Sequence, residues 1–139
     1  MYEFMKKFKP EQNTIKEFKY WIVTIREKQI TLGSMVFLLK REIESVSEMY
    51  PEEAAEFPMV VQWFEKTVRG SYGAEKYNYV IAMMKDSFVH YHAIPRYSEE
   101  IERYGKVWID PCWPGLIQFK NIEVDDEINR QIIEDLRNY

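Results

Sequence analysis

Cysteine and histidine are scarce in this chain. Its 139 residues include one cysteine, Cys112, and two histidines, His90 and His92. A lone cysteine closes no intrachain disulfide, so the fold is expected not to need an oxidising compartment. An excess of positive charge is also lacking: 19 Lys and Arg against 23 Asp and Glu leave −4. That balance supplies no general field to attract nucleic acid or an anionic membrane, so an anionic small ligand would have to be held by local donors. Long apolar runs are missing too. The longest nearly pure one, MVFLL at 35–39, is far too short to span a bilayer. The opening MYEFMKKFKPEQN is basic without an apolar stretch and does not read as a signal peptide. Together these absences point to the cytoplasm, with neither nucleic acid nor membrane as a partner.

What is present favours one domain with a real core. Apolar residues make up 46% of the chain and aromatics 16%, too many for a disordered segment. Residues 1–16 are polar and charged and read as an arm or a short first helix, leaving 17–139 as the domain. KYWIVTIR (19–26) and SMVFLLK (34–40) read as antiparallel strands, the second buried on both faces. Pro51, Glu52 and Glu53 look like a helix start. Apolar residues at helical spacing follow, Gly70 and Gly73 supply the stop, and Pro58 is expected to kink or divide the helix. KYNYVIAMM (76–84) and SFVHYHAIP (87–95) read as two more strands joined by a tight KDS turn. Met83 and Met84 are assigned to the core. Residues 98–115 look irregular, and GLIQFKNI (115–122) offers a short edge strand. DDEINRQIIEDLRNY closes the chain as an amphipathic helix capped by Asp125. This order predicts an α+β domain: a mostly antiparallel sheet of about five strands with helices packed on one side.

His90 and His92 are two apart on a strand, so they share a face, with Cα atoms roughly 6.5–7 Å apart. Phe88 shares that face, while Val89, Tyr91 and Ala93 turn to the other. Imidazole needs hydrogen-bond partners, so the histidine side is expected to be concave or partly open. Three readings fit the pair alone. Both rings could satisfy local hydrogen bonds. They could ligate zinc or copper, given a third ligand such as Cys112 or Asp110. Or one imidazole could attack phosphorus, dividing a hard substitution into two easier ones.

The neighbouring residues bear on the choice. VHYHAIPRY with Phe88 in front resembles the H-φ-H-φ-H-φ-φ signature of the histidine triad (HIT) superfamily, where φ is apolar. KQITLGSMVFLLKRE (28–42), KYNYVIAMM just ahead of the histidines, and DPCWPG (110–115) resemble further segments of that family in matching order. The resemblance spans residues 17–119. It implies a HIT-like fold, a homodimer, and a nucleotide or nucleotide conjugate as ligand. The activity implied is cleavage of a phosphoanhydride or phosphoramidate bond, as in dinucleoside polyphosphates and nucleoside phosphoramidates. His90 would be the nucleophile that forms a nucleotidyl-histidine, and His92 its partner on the phosphate side. No metal is required, although Mg²⁺ accompanies many polyphosphate substrates.

Two positions depart from the family pattern. Phe88 stands where the first histidine belongs, and Ser34 stands near a further family histidine. That departure motivates the alternative of a nucleotide-binding protein with weak or no catalysis. Ser34 and Ser87 are the candidates for a replacement hydroxyl. Gln29 begins the region that contacts ribose in the family, beside Arg26, which replaces the acid often found there. Arg96 is a candidate phosphate contact or, equally, half of a surface ion pair. Lys85 lies in the turn before the motif. Trp113 would cover the site or support a dimer.

Overall fold

The computed structural model describes residues 3–139. Two short helices open the chain, α1 (Glu3–Lys6) and α2 (Pro10–Asn13), followed by strands β1 (Thr14–Glu17), β2 (Trp21–Ile25) and β3 (Met35–Leu39). The long helix α3 (Pro51–Tyr72) leads to β4 (Lys76–Val80) and β5 (His90–Arg96). A small hairpin, β6 (Ile101–Arg103) and β7 (Lys106–Trp108), and a last helix, α4 (Asp126–Arg137), complete the domain. Five strands form one sheet in the order β1-β2-β3-β5-β4. Every neighbouring pair in it is antiparallel. The expected α+β architecture is therefore present.

Alternation along the strands divides the core in two. Trp21, Val23, Ile25, Phe37, Leu39 and Ala93 face α3 and α4, meeting Val60, Phe64, Val68, Ile132 and Leu136. Val36 and Leu38 turn to the opposite face, where they meet Phe4 and Met5 of α1. β3 is buried along its whole length, as a continuous apolar run between two neighbours should be. The two longer helices lie on one side of the sheet, and α1 covers part of the other.

Several local expectations are corrected. The segment 1–16 includes the start of a sheet strand, since β1 begins at Thr14 and pairs with β2. Pro58 lies inside α3 without dividing it. Gly70 lies within that helix too; the stop is Gly73, whose left-handed φ of 77° suits a residue without Cβ. The strand expected over 76–84 ends at Val80, so residues 81–89 form a loop rather than a tight turn. Met84 on that loop is 87% exposed, not core. Residues 98–115 contain the β6–β7 hairpin. Residues 115–122 add no strand; their one β-type pairing is an isolated bridge between Gln29 and Ile122. Asp125 does cap α4, its carboxylate accepting from the Ile128 N–H at 2.9 Å.

Gly33 shows how tightly the β2–β3 turn is seated. Its φ is +88°, and a Cβ there would meet the Tyr72 ring at 3.3 Å and Val68 at 3.4 Å. Gly33→Ala should therefore destabilise the fold by about 1–2 kcal/mol, read as a lower urea midpoint with an unchanged slope.

Candidate functional site

β5 is next to the edge strand, bonded to β3 on one side and β4 on the other. Its register places His92 opposite Val36 and Val80, and His90 opposite Leu38. Tyr91 turns into the α3 side, with its ring 4.7 Å from that of Phe57. The two histidines turn to the other side, ring centroids 5.2 Å apart and nearly perpendicular.

That face is closed over His90, which is only 3% exposed. The concave or partly open surface expected for the pair is thus found only at His92, beside a cavity, and not at His90. Phe4 and Phe8 stand 5.5 and 6.0 Å from its ring, and Phe88 packs edge-on against Phe4 at 5.3 Å. His90 nevertheless has a polar partner: its Nδ1 lies 2.7 Å from the Phe88 carbonyl oxygen. A carbonyl only accepts, so Nδ1 carries a proton, and in the neutral ring the lone pair is on Nε2.

His92 is half-buried beside Arg26. The Arg26 Nε–H donates to His92 Nδ1 at 3.4 Å. The guanidinium also donates to the Lys28 carbonyl and, at 2.7 Å, to Asn121 Oδ1. Phe119 completes the enclosure, 5.5 Å from the imidazole and under the guanidinium. Desolvation, the Arg26 charge and His90 push the His92 pKa down to about 4, against a weaker opposing pull from Asp86. Among the described residues, no hydrogen bond engages Nε2 of either histidine.

A cavity of about 280 Å³ opens beside His92, near the lower bound for small-molecule sites. Lys7, Arg26 and Lys28 bring positive charge to it, and Glu27 and Asp86 negative charge. Asn13 offers an amide, while Phe8, Ile25 and Val36 form apolar wall. Lys7 and Asp86 are themselves paired. A larger cavity of about 800 Å³ lies between α2 and α4 and includes neither histidine, although Asn13 and Glu27 line both.

The other candidates from the sequence are not gathered here. Gln29 is fully buried inside the β2–β3 turn, donating to the Arg26 and Ser34 carbonyls and accepting from the Gly33 and Ser34 N–H groups. The Ser34 hydroxyl donates to the Thr31 carbonyl at 2.7 Å and accepts from the backbone of Ile30 and Thr31. Both side chains are spent on the turn. Lys85 and Ser87 are exposed on the 81–89 loop. Trp113 borders a separate cavity with Asn78 and Arg96.

Arg96 is neither a surface ion pair nor an open phosphate contact. It forms a two-pronged bond with Asp110 at 2.6 and 3.1 Å, with side chains 5% and 1% exposed. It also donates to Asn78 Oδ1 and the Gly115 carbonyl. Asp110 is thereby turned away from the histidines, and Cys112 remains a free thiol. Among the described residues no group of three or more His, Cys, Asp and Glu side chains converges. Sequence reasoning placed Arg26 near a ribose contact and not against His92, and it missed Asn121 altogether. Asn121 lies 95 residues from Arg26, a separation at which no local pattern could signal the contact.

No protein-family model matches the chain, and no curated protein does. Solved structures do match. A histidine triad (HIT) protein from Sinorhizobium meliloti aligns with TM-score 0.72 at 19% identity, covering 96% of this chain and 93% of the other. A histidine triad protein from Marinobacter aquaeolei gives 0.74 at 15% identity, covering 96% and 91%. A hypothetical histidine triad nucleotide-binding protein from Sulfolobus tokodaii gives 0.71 at 16%, covering 97% and 89%. What these structures share with this chain is the antiparallel α+β architecture. This is the histidine triad fold. No helix among the described residues is long and apolar enough to cross a membrane.

Two predictions test these assignments. Removing one partner of the buried Arg96–Asp110 pair leaves a buried charge alone, so Arg96→Met should cost about 3–5 kcal/mol of stability, measured by urea denaturation. The second concerns acid. The folded His92 pKa of about 4 lies below the ordinary imidazole value of 6.5. Between those values the unfolded chain takes up a proton that the folded one refuses, so stability falls as pH drops through that window and is regained above it. The fall in urea midpoint from pH 7 to 4.5 should be smaller in His92→Asn than in the wild type.

Proposed function

We propose that this chain binds a nucleotide or nucleotide conjugate beside the histidine pair and cleaves it through a nucleotidyl-histidine on His90. The observation that carries this reading is the bond from His90 Nδ1–H to the Phe88 carbonyl. It leaves Nε2 as the lone-pair nitrogen, the form an imidazole nucleophile requires. The histidine triad fold, and a neighbour described as nucleotide-binding, favour the same ligand class. His90 Nε2 would attack the α-phosphorus, the bond to the leaving group would break, and water or another acceptor would then release the nucleotidyl group. Lys7, Lys28 and Arg26 line the adjoining cavity and would offset phosphate charge. Mg²⁺ would enter with a polyphosphate as part of the substrate. A homodimer and a cytoplasmic location belong to the same reading.

A second reading has an observation of its own. Phe4 and Phe8 close over His90, and Phe88 occupies the position of the first family histidine. This favours nucleotide binding with weak or no turnover.

Incubation with a panel of dinucleoside polyphosphates and nucleoside phosphoramidates separates the two. Nucleoside monophosphate release by the wild type, reduced about 1,000-fold or more in His90→Ala, supports catalysis. Equal release by both proteins overturns it. Nucleotide binding without release by either protein establishes the second reading.

A further inference from the structure

We infer that Arg26 positions His92 as a neutral Nε2–H donor, and that the site therefore takes nucleotide conjugates whose leaving group departs as an anion rather than as an amine. This rests on His90 as the nucleophile and narrows its substrates to phosphoanhydrides and acyl phosphates.

The geometry at His92 fixes the ring state. Guanidinium N–H groups donate and never accept. With Arg26 Nε 3.4 Å from His92 Nδ1, Nδ1 must present its lone pair, which puts the ring proton on Nε2. A doubly protonated ring would set two N–H groups against each other. The guanidinium does not swing aside freely, being held by the Lys28 carbonyl, Asn121 Oδ1 and the Phe119 ring. The two neutral rings are thus opposite tautomers at successive positions on one face of the strand. His90 offers a lone pair at Nε2, and His92 offers a proton-bearing Nε2.

Other charged groups around His92 do not reverse this. Asp86, from the 81–89 loop, favours the protonated ring, but Lys7 of the α1–α2 connection pairs with it. Glu27 and Lys28 follow Arg26 on the β2–β3 connection, and His90 lies on the same strand as His92. Ammonium and guanidinium groups are weak acids, and ionised carboxylates have no proton to give. The site therefore has donors for hydrogen bonds but no acid matched to neutral pH.

Leaving-group chemistry then decides the substrate class. When His90 Nε2 attacks, an N–P bond forms and the bond from phosphorus to the leaving group breaks, its electron pair leaving with that group. A phosphate or carboxylate is stable as the resulting anion. The amine of a phosphoramidate would leave as an amide anion unless a proton arrived with it. A neutral imidazole N–H can bond a non-bridging oxygen but does not supply that proton. General acid catalysis is worth about 10²–10⁴-fold, so phosphoramidates should be cleaved about 100-fold less efficiently than comparable anhydrides.

The test uses ¹⁵N NMR of the histidine ring nitrogens in the full chain between pH 5 and 8, with His90→Gln assigning the signals. In the wild type, His92 Nδ1 should show the unprotonated shift and Nε2 the protonated one, unchanged across the range. Arg26→Met should bring a titration into that range. A wild-type His92 that titrates between pH 5 and 8, or carries its proton on Nδ1, overturns the role of Arg26. In parallel, kcat/KM is compared for diadenosine polyphosphates and adenosine phosphoramidate. An advantage for the anhydride of about 100-fold is expected, and equal or reversed values overturn the leaving-group assignment. Turnover of neither substrate removes that assignment together with the catalytic reading of His90, while the ring-nitrogen spectrum still decides Arg26.

Discussion

The position of β5 governs the rest of the molecule. Its backbone is bonded to β3 and β4, so its freedom lies only in which side chains point to which face. Tyr91 and Ala93 must reach the α3 layer, where the Tyr91 ring meets both Phe57 and Trp21. That demand leaves His90 and His92 on the opposite face. A slip of one residue would drive both imidazoles into the apolar core and expose an aromatic ring. The geometry of the histidine pair is therefore inherited from the packing of residues that never touch it.

Accounting for buried polar atoms separates fold from site. A polar group removed from water must be bonded within the protein, and most here are. Gln29 and Ser34 are consumed in holding the β2–β3 turn, and Arg96 with Asp110 ties β5 to the segment after β7. These residues look functional as letters because buried polar side chains and ligand-binding side chains are drawn from the same set. What distinguishes His90 and His92 is one engaged ring nitrogen each, with no partner for the other among the described residues.

The same distinction explains what could be read in advance. β2, β3, α3 and α4 announce themselves through apolar period, an opening proline or aspartate, and a closing glycine. The β6–β7 hairpin also carried a usable signal in Tyr104-Gly105. Both residues have positive φ, 57° and 74°, as the two-residue turn between Arg103 and Lys106 requires; the surrounding aromatics obscured it. β1 is short and partly exposed, and only its pairing with β2 makes it a strand. The covering of His90 by Phe4 and Phe8 was not legible, because it joins segments about 80 residues apart through shape alone. The histidine positions and their common face were legible from i, i+2 spacing. Their protonation states were not, since these depend on a backbone carbonyl and on Arg26.

Of the positions where the sequence departs from the histidine triad resemblance, Ser34 is spent on the β2–β3 turn, while Phe88 and Arg26 reach the two histidines from different sides. At position 88 an imidazole gives way to a phenyl ring, which packs on Phe4, which in turn packs on Phe8 and His90. One side of His90 is thereby an aromatic enclosure with no hydrogen-bonding group. At position 26 an acid gives way to arginine, which bonds His92 and adds positive charge to the cavity wall. A histidine restored at 88 would face rings rather than partners, so the single residue does not carry the pattern. The enclosure leaves His90 dry, and Arg26 brings a positive charge against His92.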